Sequence, residues 1–439
     1  MNLFKMLKLS QNRSEIIVIA LQKIAQGGVG FLITLLIVTF INREYHGYYF
    51  TLINFSAAYT LLDLGLSVLM VQISATLFAK SKINDIDTIK QGVDNVFLEM
   101  LVWVRQYFLK LSALFLLFLP IGYFYFDKSA PAILPNVWLW PLIITILSVA
   151  LSIPAYAILS IIEGIGRVNE AYTLRILISL LGGILACFCI LNNQPLFAPS
   201  MMPISMSLIA YYWAYRQYRN LLFYKESSFY KSDKVWHLNL IELRNKVKLT
   251  AIATFLFQSG PTLLIFYYLG SYPAGQMGLS ISFLGIITFI SSSFFIAKIP
   301  ELTRLESIKN HLGSKKLFIY EFNRAIRLML IGYSGWILIV YSIQGLNIAE
   351  RFLNPFNMLL LTLNFIVIQL VALLNIHSRS QGQEIMAHPF FNATIISSVL
   401  FVIFSSLLSV TNILITMNTA YLVICMPPLI KYFKEIKKY

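Results

Sequence analysis

Asp63 is the sole charged residue between Tyr45 and Ala79, inside the run "TLLDLGLSVLM". At the centre of a membrane span an Asp is unfavourable by roughly 2.5–3.5 kcal/mol. Such a carboxylate is tolerated when it is protonated, paired or facing water. It can then carry a proton, bind a cation or tie two helices together. Ser56, Thr60, Ser67 and Ser74 recur around it at intervals of three, four or seven, which is one helix face. A second stripe joins Lys23 to Gly27, Gly30 and Thr34, with Gln22 and Gln26 nearby. Lys23 lies too deep in its apolar run to snorkel easily, so it either pairs (with Asp63 or a backbone carbonyl) or serves a ligand. Thr250, Thr254 and Gln258 precede Pro261 in a third stripe, and Gly285, Thr288 and Ser292 make a fourth. Small and hydroxylated residues alone are explained by close helix packing. Asp63 and Lys23 ask for more. Arg175, Lys298, Arg327 and Arg379 stand at the ends of apolar runs, as snorkelled anchors or as ligand contacts. Glu163 ends a run and reads as solvated.

The elements that must hold these residues follow from composition. The chain has 439 residues, 58% of them hydrophobic and 12% charged, with a mean hydropathy of +0.73. Soluble domains are nearer about 45–50% apolar and about 25% charged. The excess sits in runs of about 20 residues, which at about 1.5 Å per helical residue cross the hydrocarbon layer of a bilayer. The fold class is therefore an all-α polytopic membrane protein. About twelve spans are predicted, near 16–41, 48–78, 108–126, 138–162, 172–191, 196–214, 249–269, 275–297, 326–346, 357–376, 390–410 and 413–430. The first run is too long for a signal-peptide core and reads as a retained span. Residues 83–96 show helical apolar spacing and read as an interfacial helix. Cys187, Cys189 and Cys425 all lie in apolar runs and read as small buried hydrophobes.

The net charge of +15 suggests a nucleic-acid partner until its distribution is followed. Nearly all Lys and Arg outside the spans fall in alternate connections and at the two ends of the chain. Arg43, Lys128 and Arg351 are the exceptions. The basic side is cytoplasmic by the positive-inside rule, which puts both termini inside. The charge is a topology signal with some attraction to anionic lipid, and no nucleic-acid partner is expected.

The longest basic connection divides the chain into residues 1–220, a six-helix bundle, a linker 221–248, and residues 249–439, a second six-helix bundle. An even number of spans per half makes any repeat parallel. Gly47 and Phe55 in the first half match Gly275 and Phe283 in the second, each glycine opening a span after a tight outer turn. Cavities at such half-to-half interfaces are common transporter sites. No phosphate-loop motif is present, "EGIGRVNE" lacks the strand–turn–helix setting of a dinucleotide site, and no histidine lies mid-span. No catalytic residue, metal or cofactor is expected.

Several segments resemble a known family. "FINREYHGYYFTLINFSAAYTLLDLGLSVLMVQ" is similar to the first-to-second helix region of Wzx-type flippases for lipid-linked oligosaccharides, with Tyr45, Gly47, Tyr48 and the D-L-G-L from Asp63 to Leu66. These belong to the multidrug/oligosaccharidyl-lipid/polysaccharide exporter (MOP) superfamily. "IIEGIGRVNEAYTLRI" and "IAKIPELTRLES" resemble its connectors after spans four and eight. The resemblance implies two bundles around a central cavity in a bacterial inner membrane. It also implies flipping of an undecaprenyl-diphosphate-linked oligosaccharide by alternating access, for O-antigen or related polysaccharide assembly, beside polymerase machinery. Lys23, Arg175, Lys298 and Arg327 would then meet the diphosphate. Asp63, Gln26 and Gln258 would line the cavity or handle a coupling proton or sodium ion. The alternative is an ion-coupled multidrug and toxin extrusion antiporter, which favours acidic cavities, and no mid-span acid is read in the second half. A membrane-embedded polymerase or acyltransferase is a weaker reading, because no long outer loop is present.

Overall fold

The computed structural model describes residues 3–80, 96–129, 135–219, 235–296, 298–307, 310–380, 384–403 and 409–438. Regular structure in them is helical. The first half of the chain runs α1 (Leu3–Phe40), α2 (Arg43–Ala57), α3 (Tyr59–Asp63), α4 (Leu66–Lys80), α5 (Val96–Phe115), α6 (Phe118–Ser129), α7 (Pro135–Gly164), α8 (Val168–Leu191) and α9 (Ala198–Gln217). There follow α10 (Val235–Leu269), α11 (Ser271–Ile296), α12 (Ile299–Ser307), α13 (His311–Ser342), α14 (Pro355–Ser380), α15 (Ala387–Ile403), α16 (Val410–Ile424) and α17 (Met426–Lys438).

Nine stretches among the described residues are long and apolar enough to cross a bilayer, and a tenth is the pair Arg43–Asp63 and Leu66–Ala79, bent by 45°. The 20-residue α9 and the 17-residue α15 take the places of the two other expected spans. The chain is thus an all-helical, multi-pass membrane protein. Three expected boundaries move. The third span begins at Val96, where Phe97, Leu98, Met100, Val102 and Val104 are buried although Glu99 and Arg105 interrupt the apolar run. The ninth begins at His311, because Ser314, Phe318, Glu321 and Phe322 form a buried face behind an exposed basic one. The last two spans part before Ser409, whose hydroxyl accepts the Asn412 amide at 3.1 Å and starts α16. The interfacial helix expected at 83–96 lies outside the described residues apart from Val96, as does the Arg379 side chain.

The chain divides into two compact units. Unit one holds Met1–Val29, Ala58–Phe126 and Leu134–Asn245. Within it α7 is central and packs on α4, α5, α8 and α9. Pro154 removes one amide from α7 and frees the Ala150 carbonyl. Ser112 of α5 donates to that oxygen at 2.5 Å, and Tyr211 of α9 donates to the Leu151 carbonyl at 2.5 Å. The expected linker is helical from Val235, and its first turns dock on α5. Trp103 stacks on Tyr107 and meets Trp236 edge-on, and Arg244 donates to the Tyr107 hydroxyl at 3.4 Å.

Unit two holds Gly30–Ala57, Asp127–Ile133 and Lys246–Tyr439, so residues just after the first span cluster with the second half. Its most extensive helix pair is α2 on α11. The two glycines matched in sequence explain it. A side chain at Gly47 would strike the Ser271 backbone, and one at Gly275 would strike His46 and the Gly47 amide. At the end of this pair Arg43 forms an ion pair with Glu350, and Arg351 donates to the Ile41 carbonyl at 2.6 Å. Tyr272 and Gln276 of α11 both donate to the Glu350 carbonyl, at 2.9 and 2.8 Å. Overpacking a close contact costs about 1–3 kcal/mol or more. Gly47→Leu and Gly275→Leu are therefore expected to lower the melting temperature in detergent by several degrees. Gly28→Ala, with nothing near its Cβ, should not. Equal melting temperatures for all three variants would refute the glycine contact.

Candidate functional site

The mid-span carboxylate sits at a break. Leu64 and Gly65 both adopt left-handed backbone angles, φ 49° and 79°, which end α3 and start α4 in a new direction. Glycine takes this conformation freely and leucine does so rarely. The first amides of α4 consequently lack helical partners. Asp63, 7% exposed, supplies one: its Oδ1 accepts from the Ser67 hydroxyl at 2.8 Å and the Ser67 amide at 3.1 Å. A carboxylate at a helix N-terminus also meets the positive end of the helix dipole. The D-L-G-L run thus encodes a bend. This corrects one expectation: the polar stripe is not one continuous helix face, and Gly65 serves a positive φ. Tyr59 and Tyr156 stack beside the break, with ring centres 5.0 Å apart and planes within 9°.

A second cluster joins α1, α7 and α8 in unit one. Arg175 Nη2 lies 2.6 Å from Glu163 Oε2, and Tyr172 donates to Glu163 Oε1 at 3.3 Å. The Arg175 guanidinium also sits 4.7 Å from the Tyr172 ring centre. Half-buried Lys23 is close enough to feel the charges of both Arg175 and Glu163. One turn along, Gln22 donates to Gln26 at 2.9 Å, with Gln22 buried and Gln26 exposed. Glu163 read as solvated in sequence. It instead turns inward because the Gly164–Arg167 turn folds α8 back beside α7 and brings Arg175 across from it.

The other expected residues belong to unit two. Lys298 is engaged locally, 3.0 Å from Glu301 one turn on, with both side chains more than 40% exposed. Arg327 is exposed and donates from Nε to the Asn323 carbonyl at 3.3 Å. Gln258 is exposed on α10. Sequence reading passed over Glu321, which α13 buries to 3% exposure, with Arg324 at 3.8 Å and one carboxylate oxygen without a hydrogen bond among the described residues. It escaped because the ninth span was placed from 326. Its spacing of three, four and seven from Phe318, Ala325 and Ser314 is the signal that could have found it. A group of three or more metal-ligating side chains is absent among the described residues.

No family model and no curated relative matches the chain. Solved structures do. An inward-facing multidrug resistance MATE family transporter of the MOP superfamily aligns with a TM-score of 0.60 at 13% identity, covering 93% of this chain and 99% of the other. The chain shares that fold. The MATE multidrug transporter DinF-BH, solved in complex with a ligand, aligns at 0.57 and 13% identity, over 96% of this chain and 94% of its own. A MOP superfamily transporter from Pyrococcus furiosus, described as having a binding pocket of reverse polarity that suggests a different function, aligns at 0.56 and 13% identity, over 96% and 95%. The likeness reaches the superfamily fold that the motifs implied. It does not reach the flippase subtype.

Two comparisons separate structure from charge at this site. Asp63→Ala removes the partner of the α4 amide and should cost about 1 kcal/mol. Asp63→Asn keeps an acceptor and should melt close to wild type. If both variants melt alike, the carboxylate does not support the bend. Arg175→Ala and Glu163→Ala should couple by about 0.5–3 kcal/mol in a double-mutant cycle. Additive losses would show that the ion pair is idle.

Proposed function

We propose that the chain is an alternating-access membrane transporter and that it carries out no covalent chemistry. The observation that carries this reading is the MATE-type fold, aligned over more than nine-tenths of the chain. The buried charges support it. Ionisable groups within membrane spans are costly and, by default, mark a pathway for an ion or cargo. Asp63 in unit one and Glu321 in unit two are buried acids, each with a basic or hydroxyl neighbour in its own unit. Either could take up a coupling proton or sodium ion and so shift the balance between two states. The distribution of Lys and Arg supports both termini on the inner side, and a bacterial inner membrane is what the resemblance to Wzx-type flippases implies.

For the cargo, extrusion of small organic cations is the reading favoured by the multidrug transporters that share the fold. Glu321 removes the sequence objection to it, since the second half does bury an acid. A second reading, flipping of a polyprenyl-diphosphate-linked oligosaccharide beside polymerase machinery, is supported by the D-L-G-L segment and by Lys23 and Arg175, whose cationic groups suit a diphosphate. Reversed pocket polarity within the fold has the Pyrococcus transporter as a parallel.

The two cargoes can be tested in one preparation of inverted vesicles. Gradient-driven uptake of a rhodamine-type cation is expected, falling to the level of empty vesicles in Asp63→Asn and Glu321→Gln. Uptake that persists after both proton and sodium gradients are collapsed would refute the coupling. Movement of a lipid-linked oligosaccharide without movement of dye would replace the first cargo by the second. Lys23→Gln and Arg175→Gln should then abolish it.

A further inference from the structure

A cavity of about 100 Å³ lies inside unit one between α5, α7 and α9. On the same measure a single water needs roughly 10–15 Å³, and cavities lined by apolar groups stay dry and accept apolar guests. The α7 wall is one helix face, with Pro154, Ile158, Ile161 and Ile165 recurring at three or four. Val102 and Phe108 of α5 and Ala214 of α9 face it. Arg105 and Tyr218 are the lining residues that carry a polar group. Glu163 falls on the opposite side of α7, about 180° from the mean direction of that wall at 100° per residue. The groove is therefore separate from the Lys23–Glu163–Arg175 cluster.

Its position identifies the guest. The lining comes from the first half of α5, the last turns of α7 and the end of α9. All three lie toward the Lys/Arg-rich side, at the depth where lipid headgroups give way to chains. The surrounding charge is cationic. Arg105 lines the cavity, Arg167 stands 5.5 Å from the Tyr218 ring centre, and exposed Arg216 and Arg219 flank that tyrosine. The neighbouring acid, Glu170, is already committed: it accepts from Trp213 Nε1 at 2.6 Å and the Tyr218 hydroxyl at 2.7 Å, and pairs with Arg167 at 3.4 Å. An apolar slot with basic residues in and beside its lining suits an amphiphile with an alkyl chain and an anionic head.

We propose that this groove binds one acyl chain of an anionic phospholipid from the Lys/Arg-rich leaflet, with the phosphate at Arg105. The lipid wedges between α5, α7 and α9 and sets the spacing of the helices around Pro154. It is a resident of unit one and not the transported molecule.

Native mass spectrometry of the full chain in detergent tests this, with phosphatidylglycerol and phosphatidylcholine of identical chains. Wild type and Arg105→Lys should retain phosphatidylglycerol in preference to phosphatidylcholine, and phosphatidylglycerol should raise their melting temperatures. Arg105→Gln should lose both the preference and the thermal shift, and Ile158→Trp, which fills the slot, should retain neither lipid. If Ile158→Trp does not fold, the Arg105 pair alone decides the matter. Equal retention of the two lipids by wild type, or an undiminished preference in Arg105→Gln, would overturn the proposal. Displacement of phosphatidylglycerol by a rhodamine-type cation would also overturn it, by making the groove a cargo site.

Discussion

Inside a bilayer no water is available to a peptide group, so every interruption of a helix must find its hydrogen-bond partner within the protein. This constraint organises the polar residues of the chain more than any other. At the Leu64–Gly65 break the partner of the freed Ser67 amide is Asp63. At Pro154 the partner of the freed Ala150 carbonyl is Ser112. In unit two Asn418 of α16 donates to the Leu360 carbonyl of α14 at 2.9 Å, tying two spans through one side chain. The same economy explains why Asp63 tolerates its depth. Two donors from a helix N-terminus hold its carboxylate, and the bend it supports gives the second span two directions instead of one.

Charge follows the same logic with a different outcome. Glu163 and Arg175 satisfy one another, and Tyr172 fills a further acceptor position. A half-buried pair of this kind is weak evidence for stability, because desolvating both partners offsets part of their attraction. Its retention is better explained by what happens when one partner is drawn away. Lys23 already feels both charges from α1. An anionic or cationic guest that competes for Glu163 or Arg175 would redistribute the interactions among three helices. Such a cluster responds to a ligand without any backbone having to break.

Much of the fold was legible in sequence because a bilayer imposes a coarse rule. Twenty apolar residues make a span, and basic connections mark one side. The glycine contact was not foreseen: Gly47 and Gly275 were matched only as repeat positions, and in unit two they pack on one another. What escaped were amphipathic ends. The α5 and α13 extensions carry Glu99, Arg105, Lys315 and Lys316 among buried aromatics, and an apolar-run criterion trims such segments. Glu321 was lost with them. At the candidate site, the special status of Asp63 and Lys23 was readable from their depth. The break at Leu64 was not, since a leucine in a left-handed conformation has no pattern that announces it. Pairings such as Glu163 with Arg175 depend on how two helices meet and are invisible to periodicity.

These misses bear on cargo polarity. Counting charges by span gave a first half with a lysine and an aspartate and a second half without an acid, which argued for an anionic guest. The structure changes the terms of that count. Asp63 is engaged by its own backbone break, so part of its hydrogen-bonding capacity is already used. Glu163, once assigned to solvent, pairs with Arg175, and Lys23 lies within reach of both charges. Glu321 gives unit two a buried carboxylate oxygen without a hydrogen bond among the described residues. Each unit therefore sets acid beside base: Glu163 with Arg175 in unit one, and Glu321 with Arg324 in unit two. A fold whose halves each set acid beside base offers both signs of charge to a guest. On that view polarity is a property of each unit, and neither cargo can be assigned by the charge of the whole chain.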